Sequence, residues 1–169
     1  MQSLNEIIKA PLRLLGKFEV EIVIIGGVAA TLYGSAHLRN DLDVCYGRKP
    51  PNLDRLAAAL QSVQARLRGA PDNLPFALDA ETLRKDLNFT FTTDIGTLDL
   101  LGEVRGVGFY EEVIQGCTTH ELFGYRFPVI EIGRLIVAKR TAGRPKDRII
   151  LPELEAIQER LMIEKAELT

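Results

Sequence analysis

The chain has 169 residues, 46% hydrophobic and 26% charged, with 21 Lys and Arg against 23 Asp and Glu and a formal net charge of -2. That is the composition of one globular domain, and a chain this long buries about two-thirds of its unfolded surface without help from disulfides or metal. The near-zero balance excludes the strong basic excess of a constitutive nucleic-acid or membrane binder and leaves only a local basic patch.

Ser3-Leu4-Asn5-Glu6 has capping-box spacing, and Leu4, Ile7, Ile8, Leu12 and Leu15 recur at helical intervals toward Gly16, with Pro11 expected to kink or divide the helix. Val20 to Ile25 reads as a β-branched strand ending at Gly26-Gly27, and Val28 to Tyr33 as a short helix. After Gly34 and a polar stretch, Leu42, Val44 and Tyr46 alternate with Asp41, Asp43 and Cys45, so both aspartates project from one face of a strand. Asn52 is the expected cap of a helix carrying Leu53, Leu56, Leu60, Val63 and Leu67 and ending at Gly69, followed by a loop from Ala70 to Pro75.

A shorter helix starts after Asp79, and Asn88 to Thr93 alternates Phe89 and Phe91 with threonines as a half-buried strand does. Asp94 to Thr97 is a turn, and Leu98-Asp99-Leu100-Leu101 is a strand that sets one carboxylate among leucines, a costly placement unless something pairs with it. Phe123 to Ile130 is extended; Ile132, Leu135 and Ile136 open a helix that stops near Gly143. Pro145 and Pro152 each suit a first helical position, which gives a broken helical tail over about 144–169 with Leu154, Ile157 and Leu161 on one stripe. With no repeat or linker, the chain reads as a single α+β domain, a small mixed sheet flanked by helices. Cys45 and Cys117 match no metal or redox spacing, and neither a signal peptide nor a membrane span is discernible, so a reduced, cytoplasmic protein without a membrane partner is expected.

Three features bear chemistry. Gly26-Gly27 lets backbone amides approach a phosphate at a helix start, or is simply a tight turn. Asp41 and Asp43 lie side by side, either as an exposed polar strand face or as a pair of like charges suited to a hard cation such as Mg²⁺, which takes oxygen ligands from one or two carboxylates and substrate phosphates. Asp99 is the third carboxylate, on a later strand. A basic segment adds Arg134, Lys139, Arg140, Arg144, Lys146 and Arg148, with Lys139 on the apolar stripe of its helix, where it either meets a triphosphate or snorkels to solvent.

The combination of Gly26-Gly27, Asp41-Leu42-Asp43 and Asp99 resembles the nucleotidyltransferase superfamily typified by DNA polymerase β. Gly26 to Ala30, the Gly34-Ser35 step and Lys139 to Asp147 look like its small prokaryotic branch, which includes the abortive-infection (AbiEii-type) toxin nucleotidyltransferases. The likeness spans about Val20 to Asp147. It implies a metal-dependent transfer of a nucleoside monophosphate from a nucleoside triphosphate to an acceptor hydroxyl on RNA, protein or a small molecule, with pyrophosphate released. Asp41, Asp43 and Asp99 would then be the catalytic and metal-binding residues for two Mg²⁺ or Mn²⁺ ions, and Gly26, Gly27, Lys139 and Lys146 the nucleotide contacts. Many relatives carry Arg and Thr where this chain has His37 and Arg39, and Ser where it has Gly27. Those departures keep a second reading in view: a catalytically silent nucleotide-binding or partner-binding module, such as a toxin-antitoxin component.

Overall fold

The computed structural model describes residues 4–37, 41–71, 73 and 78–169. The first helix, α1 (Leu4–Lys17), runs unbroken through Pro11 and buries Ile8, Leu12 and Leu15. Pro11 therefore does not divide it, since proline in a helix interior forfeits one backbone hydrogen bond and packing of the apolar stripe outweighs that loss. The expected Ser3 cap lies outside the described residues.

Strand β1 (Ile22–Ile25) leads directly into the short helix α2 (Gly26–Leu32), and β2 (Leu42–Tyr46) follows. Helix α3 (Pro50–Ser62) begins at Pro50 with Lys49 as its N-cap, so Asn52 is not a cap. Its buried amide instead accepts from the Glu21 amide at 2.7 Å and donates to the carbonyls of Glu21 and Gly47 at 3.1 and 2.7 Å, clamping the flanks of β1 and β2 together. Leu67 leaves the helical stripe as well, because Arg66 and Leu67 form the edge strand β3 (Arg66–Leu67).

Helix α4 (Ala80–Lys85) starts at Asp79, whose carboxylate accepts from the Thr82 amide at 2.8 Å as an N-cap should. Strands β4 (Asn88–Thr93) and β5 (Gly96–Leu101) make a hairpin. A small ribbon of β6 (Glu103–Val104) and β7 (Gly108–Phe109) precedes the single turn α5 (Tyr110–Val113). A second hairpin, β8 (Thr118–Leu122) and β9 (Tyr125–Val129), extends the strand expected near Phe123.

Helix α6 (Ile132–Ala142) closes on Gly143 in the left-handed conformation, φ 61°. The last helix, α7 (Pro145–Glu167), is continuous through Pro152 rather than broken there. Pro152 and Arg148 are both exposed, so water can take up the Arg148 carbonyl that proline leaves without its helical partner.

Seven strands form one mixed sheet in the order β3-β4-β5-β2-β1-β9-β8. β2 runs parallel to β5 and antiparallel to β1, and β1 parallel to β9. Helix α1 packs on β2, β5 and β9, while α2 packs on β1, β2 and α6, and α6 on α7. The fold is α+β, a mixed sheet flanked by helices, and its centre brings together strands separated by more than fifty residues of chain. No described helix is long and apolar enough to cross a membrane.

Candidate active site

Register alone aligns the polar residues of the sheet centre. Ile25 pairs with Asp43, Asp43 with Asp99, and Asp99 with Thr90, so one row across four strands carries two adjacent carboxylates. Neighbouring strands lie about 4.8 Å apart, and two unit charges at about 4 Å repel by about 4 kcal/mol at an effective dielectric constant near 20. The strand residues on either side of both aspartates, Leu42, Val44, Leu98 and Leu100, are buried in the core and hold the backbone so that the carboxylates cannot splay apart by turning the strand.

The consequence is visible in the ionisation of Asp43. Burial, the hydrogen bond and charge of Asp99, and the charge of Asp41 push its carboxyl up from 3.8 to about 7, against the opposing pull of Lys139. Asp99 Oδ1 is buried and makes no hydrogen bond. A buried acceptor without a hydrogen bond, next to a carboxylate that resists ionisation, is a costly arrangement for the fold to keep.

The turn before α2 is shaped by the same carboxylate. Gly26 has φ 65°, and a Cβ on it would collide with Asp43 Oδ2. Glycine is thus required twice here, by the left-handed backbone and by the close approach of the strand. Gly26 lines the cleft with Asp43 and Asp99; Gly27 is buried behind it in α2.

The opposite wall comes from α6 and the start of α7. Lys139, whose side chain is 8% exposed, makes a 3.3 Å ion pair with Asp147, which is fully buried. Arg144 holds the same carboxylate through Nε at 2.7 Å and Nη2 at 3.3 Å, and the Arg144 amide donates to Asp147 Oδ2 at 3.2 Å. Burial alone would raise the Asp147 carboxyl, but the hydrogen bonds from Arg144 and the charge of Lys139 outweigh it and hold the group below 3.8. Bonding to Asp147 raises the Arg144 guanidinium, which also feels Asp43 and Asp99.

Between the walls lies a cleft of about 640 Å³, lined by Gly26, Asp43, Asp99, Lys139 and Arg144 and, toward the β4 side, by Phe89, Thr90 and Glu103. That volume is within the range of small-molecule sites. Gly106 in the β6–β7 turn, φ 86°, has Thr141 Oγ1 and Val137 of α6 against the place a Cβ would take, so the ribbon rests on the helix that carries Lys139.

Of the residues singled out in the sequence, Gly26, Asp43, Asp99 and Lys139 are gathered here. Asp41 stands half-buried at the entrance to β2 and is not part of the lining, although its charge reaches Asp43. Among the described residues, no three His, Cys, Asp or Glu side chains group closely enough to hold a metal ion by themselves. Lys146 is exposed in the first turn of α7 and lies outside the cleft. Arg144 and Asp147 were missing from the sequence-derived site; the signal that could have found them is a buried-looking Asp three residues after an Arg at a Gly-x-Pro helix start. Arg39 lies outside the described residues, and His37 contacts Glu153 rather than the cleft. Cys45 is buried, its thiol pushed up to about 12, first by burial, and it takes no part.

No protein-family model matches the chain, and no curated protein does. Solved structures do. The lincosamide antibiotic adenylyltransferase LnuA, lincomycin-bound, superposes with a TM-score of 0.58 at 12% identity over 92% of this chain and 98% of its own. ANT(2'')-Ia in complex with adenylyl-2''-tobramycin gives 0.57 at 17% identity, over 95% of this chain and 91% of its own. The solution structure of the antibiotic-resistance factor ANT(2'')-Ia gives 0.50 at 13% identity over 96% and 92%. At such identities the likeness establishes the fold: this chain has the polymerase β-like nucleotidyltransferase fold.

Proposed function

We propose that the protein is a nucleotidyltransferase that moves a nucleoside monophosphate from a nucleoside triphosphate to an acceptor hydroxyl, with pyrophosphate as the second product. The observation that carries this reading is the Asp43 and Asp99 pair, with an orphaned buried oxygen, facing Lys139 and Arg144 across one cleft. The fold and its antibiotic-modifying neighbours support the same reaction class.

The donor set is hard oxygen, as Mg²⁺ prefers, and it fits a divalent ion held by Asp43 and Asp99 together with substrate phosphates; Asp41 adds negative potential from the strand entrance. When bound, such an ion neutralises charge on the phosphates and polarises the attacking oxygen. The chain's own groups do the rest. Lys139 and Arg144 receive the β- and γ-phosphates, where their charge stabilises the leaving pyrophosphate. Their common partner Asp147 holds both before substrate arrives, so little ordering cost falls on the reaction. Asp99 accepts the acceptor's hydroxyl proton, its unbonded Oδ1 being the available lone pair. Gly26 keeps the turn free of a side chain, leaving the Gly26 and Gly27 backbone to approach phosphate.

The neighbours' bound lincomycin and adenylyl-tobramycin favour a small-molecule acceptor over RNA or protein. The likeness of Gly26 to Ala30, Gly34-Ser35 and Lys139 to Asp147 to the AbiEii-type branch supports a toxin-type relative within the same superfamily. Incubation with Mg²⁺, α-labelled nucleoside triphosphates and parallel panels of hydroxylated small molecules, tRNA and protein tests the reading. Label is expected in a small-molecule adduct with matching pyrophosphate, and none with Asp99→Asn. Metal-dependent triphosphate binding without product in any panel would replace the enzyme by a silent nucleotide-binding module.

A further inference from the structure

The segment that enters the carboxylate strand is tied to the far helix by one side chain. Three consecutive residues converge on Glu153 of α7: Ser35 Oγ donates to Oε2 at 3.1 Å, the Ala36 amide donates to Oε1 at 2.8 Å, and His37 Nδ1 lies 2.6 Å from Oε2. The Ala36 hydrogen bond, with those of His37 and Ser35, holds the Glu153 carboxyl below its usual range. The His37 amide in turn donates to Ser35 Oγ at 3.2 Å, so the clasp is internally braced.

From His37 the bonding continues toward the cleft. The single hydroxyl proton of Thr31 is shared between the Gly27 carbonyl, 3.0 Å from Oγ1, and the His37 carbonyl, 3.3 Å from it. Gly27 follows Gly26, whose backbone is pressed against the Asp43 carboxylate. A contiguous path therefore runs from α7 through His37 and Thr31 to the turn beside Asp43. On the other side, Asp41 is only four residues beyond His37, a span of at most about 14 Å, so the position of His37 limits where β2 can begin.

We propose that Glu153 is a positioning residue for the cleft: by fixing residues 35–37 it sets the Gly26-Gly27 turn and the start of β2 against each other, so that the reading of this cleft as a transfer site makes its activity depend on α7. This inference extends the proposed function, and its structural half stands apart from it. The role is geometric and uses both carboxylate oxygens, Oε1 accepting from the Ala36 amide and Oε2 meeting Ser35 Oγ and His37 Nδ1, so a glutamine can keep only one of the two acceptors.

Hydrogen exchange on ligand-free protein decides it, with Glu153→Ala, Glu153→Gln and, as a control on α7, Glu155→Ala, which removes only the exposed pair with Arg140. Glu153→Ala is expected to speed exchange about tenfold at residues 26–27, 35–37 and 41–43 while leaving Asn88–Thr93 at the wild-type rate, and Glu153→Gln, which keeps one acceptor oxygen for the Ala36 amide, to restore part of the protection. In the transfer assay Glu153→Ala then lowers kcat about tenfold and Glu153→Gln less than about threefold. Faster exchange confined to 35–37, or the same pattern from Glu155→Ala, would overturn the proposal. Wild-type protein that transfers no nucleotide would sink the transferase reading, while exchange still decides the role of Glu153.

Discussion

The two walls of the cleft solve opposite problems. The sheet wall sets Asp43 beside Asp99, like charge against like, and leaves a buried oxygen without a hydrogen bond. The helix wall sets Lys139 and Arg144 on one buried carboxylate, so each cation has a partner within the wall and one positive charge is left over. A fold selected for stability alone would have given the carboxylates of the first wall a cationic partner, as it gave Asp147 in the second. The difference is what the proposed function explains: carboxylates that lack a partner of their own face cations already fixed in place.

Breaking each wall should give contrasting results. Asp43→Asn or Asp99→Asn is expected to lower transfer about a thousandfold while leaving the ligand-free melting temperature unchanged or higher, since it relieves repulsion. Pyrophosphate release and a thermal melt in chelator check both halves, and a large loss of stability would count against the account. Asp147→Ala should do the reverse, destabilising the fold by about 3 kcal/mol because it removes the buried carboxylate shared by Lys139 and Arg144, with weaker triphosphate binding as a consequence; denaturant unfolding measures it.

The pH dependence separates the walls again. Asp43 is raised from 3.8 to about 7 in the folded state, so its contribution to stability is complete below about 4 and is lost as pH rises through about 7. Asp147 is depressed, so its contribution is present above 3.8 and is lost as pH falls through its lower folded value. Ligand-free protein should therefore lose stability from about pH 4 to 7, and Asp43→Asn should flatten that limb. Gly26→Ala is expected to cost about 2 kcal/mol through its left-handed backbone, with a further loss from crowding Asp43. The smallest effect belongs to Lys146→Ala, which should change the Kd for triphosphate by less than about threefold because the side chain lies outside the cleft.

The sheet wall was legible in the sequence because strand alternation has a period of two, which fixes the face of each aspartate even when the partner strand is fifty residues away. That Asp41, Asp43 and Asp99 would share one site followed from the resemblance and not from periodicity, and the register of Asp43 with Asp99 comes from the sheet itself. Lys139 was legible from the helical stripe. Arg144 and Asp147 were not, since the helix stops at Gly143 and restarts at Pro145, and no periodic pattern crosses such a break. The hairpin strand β8 was missed because Thr118-Thr119-His120-Glu121 is polar on both faces at a sheet edge. Pro11 and Pro152 misled in the same direction: each is tolerated inside a helix whose other face is well packed. Asn52 looked like a cap because caps and buried backbone clamps use the same short amide.

Titration calorimetry of a non-hydrolysable nucleoside triphosphate into the protein, with Mg²⁺ and with chelator, tests the central claim most directly. The account predicts one site whose affinity rises at least about tenfold with Mg²⁺, and loss of that metal effect in Asp99→Asn with its fold intact. Equal affinity with and without metal, or a metal effect that survives Asp99→Asn, would contradict it.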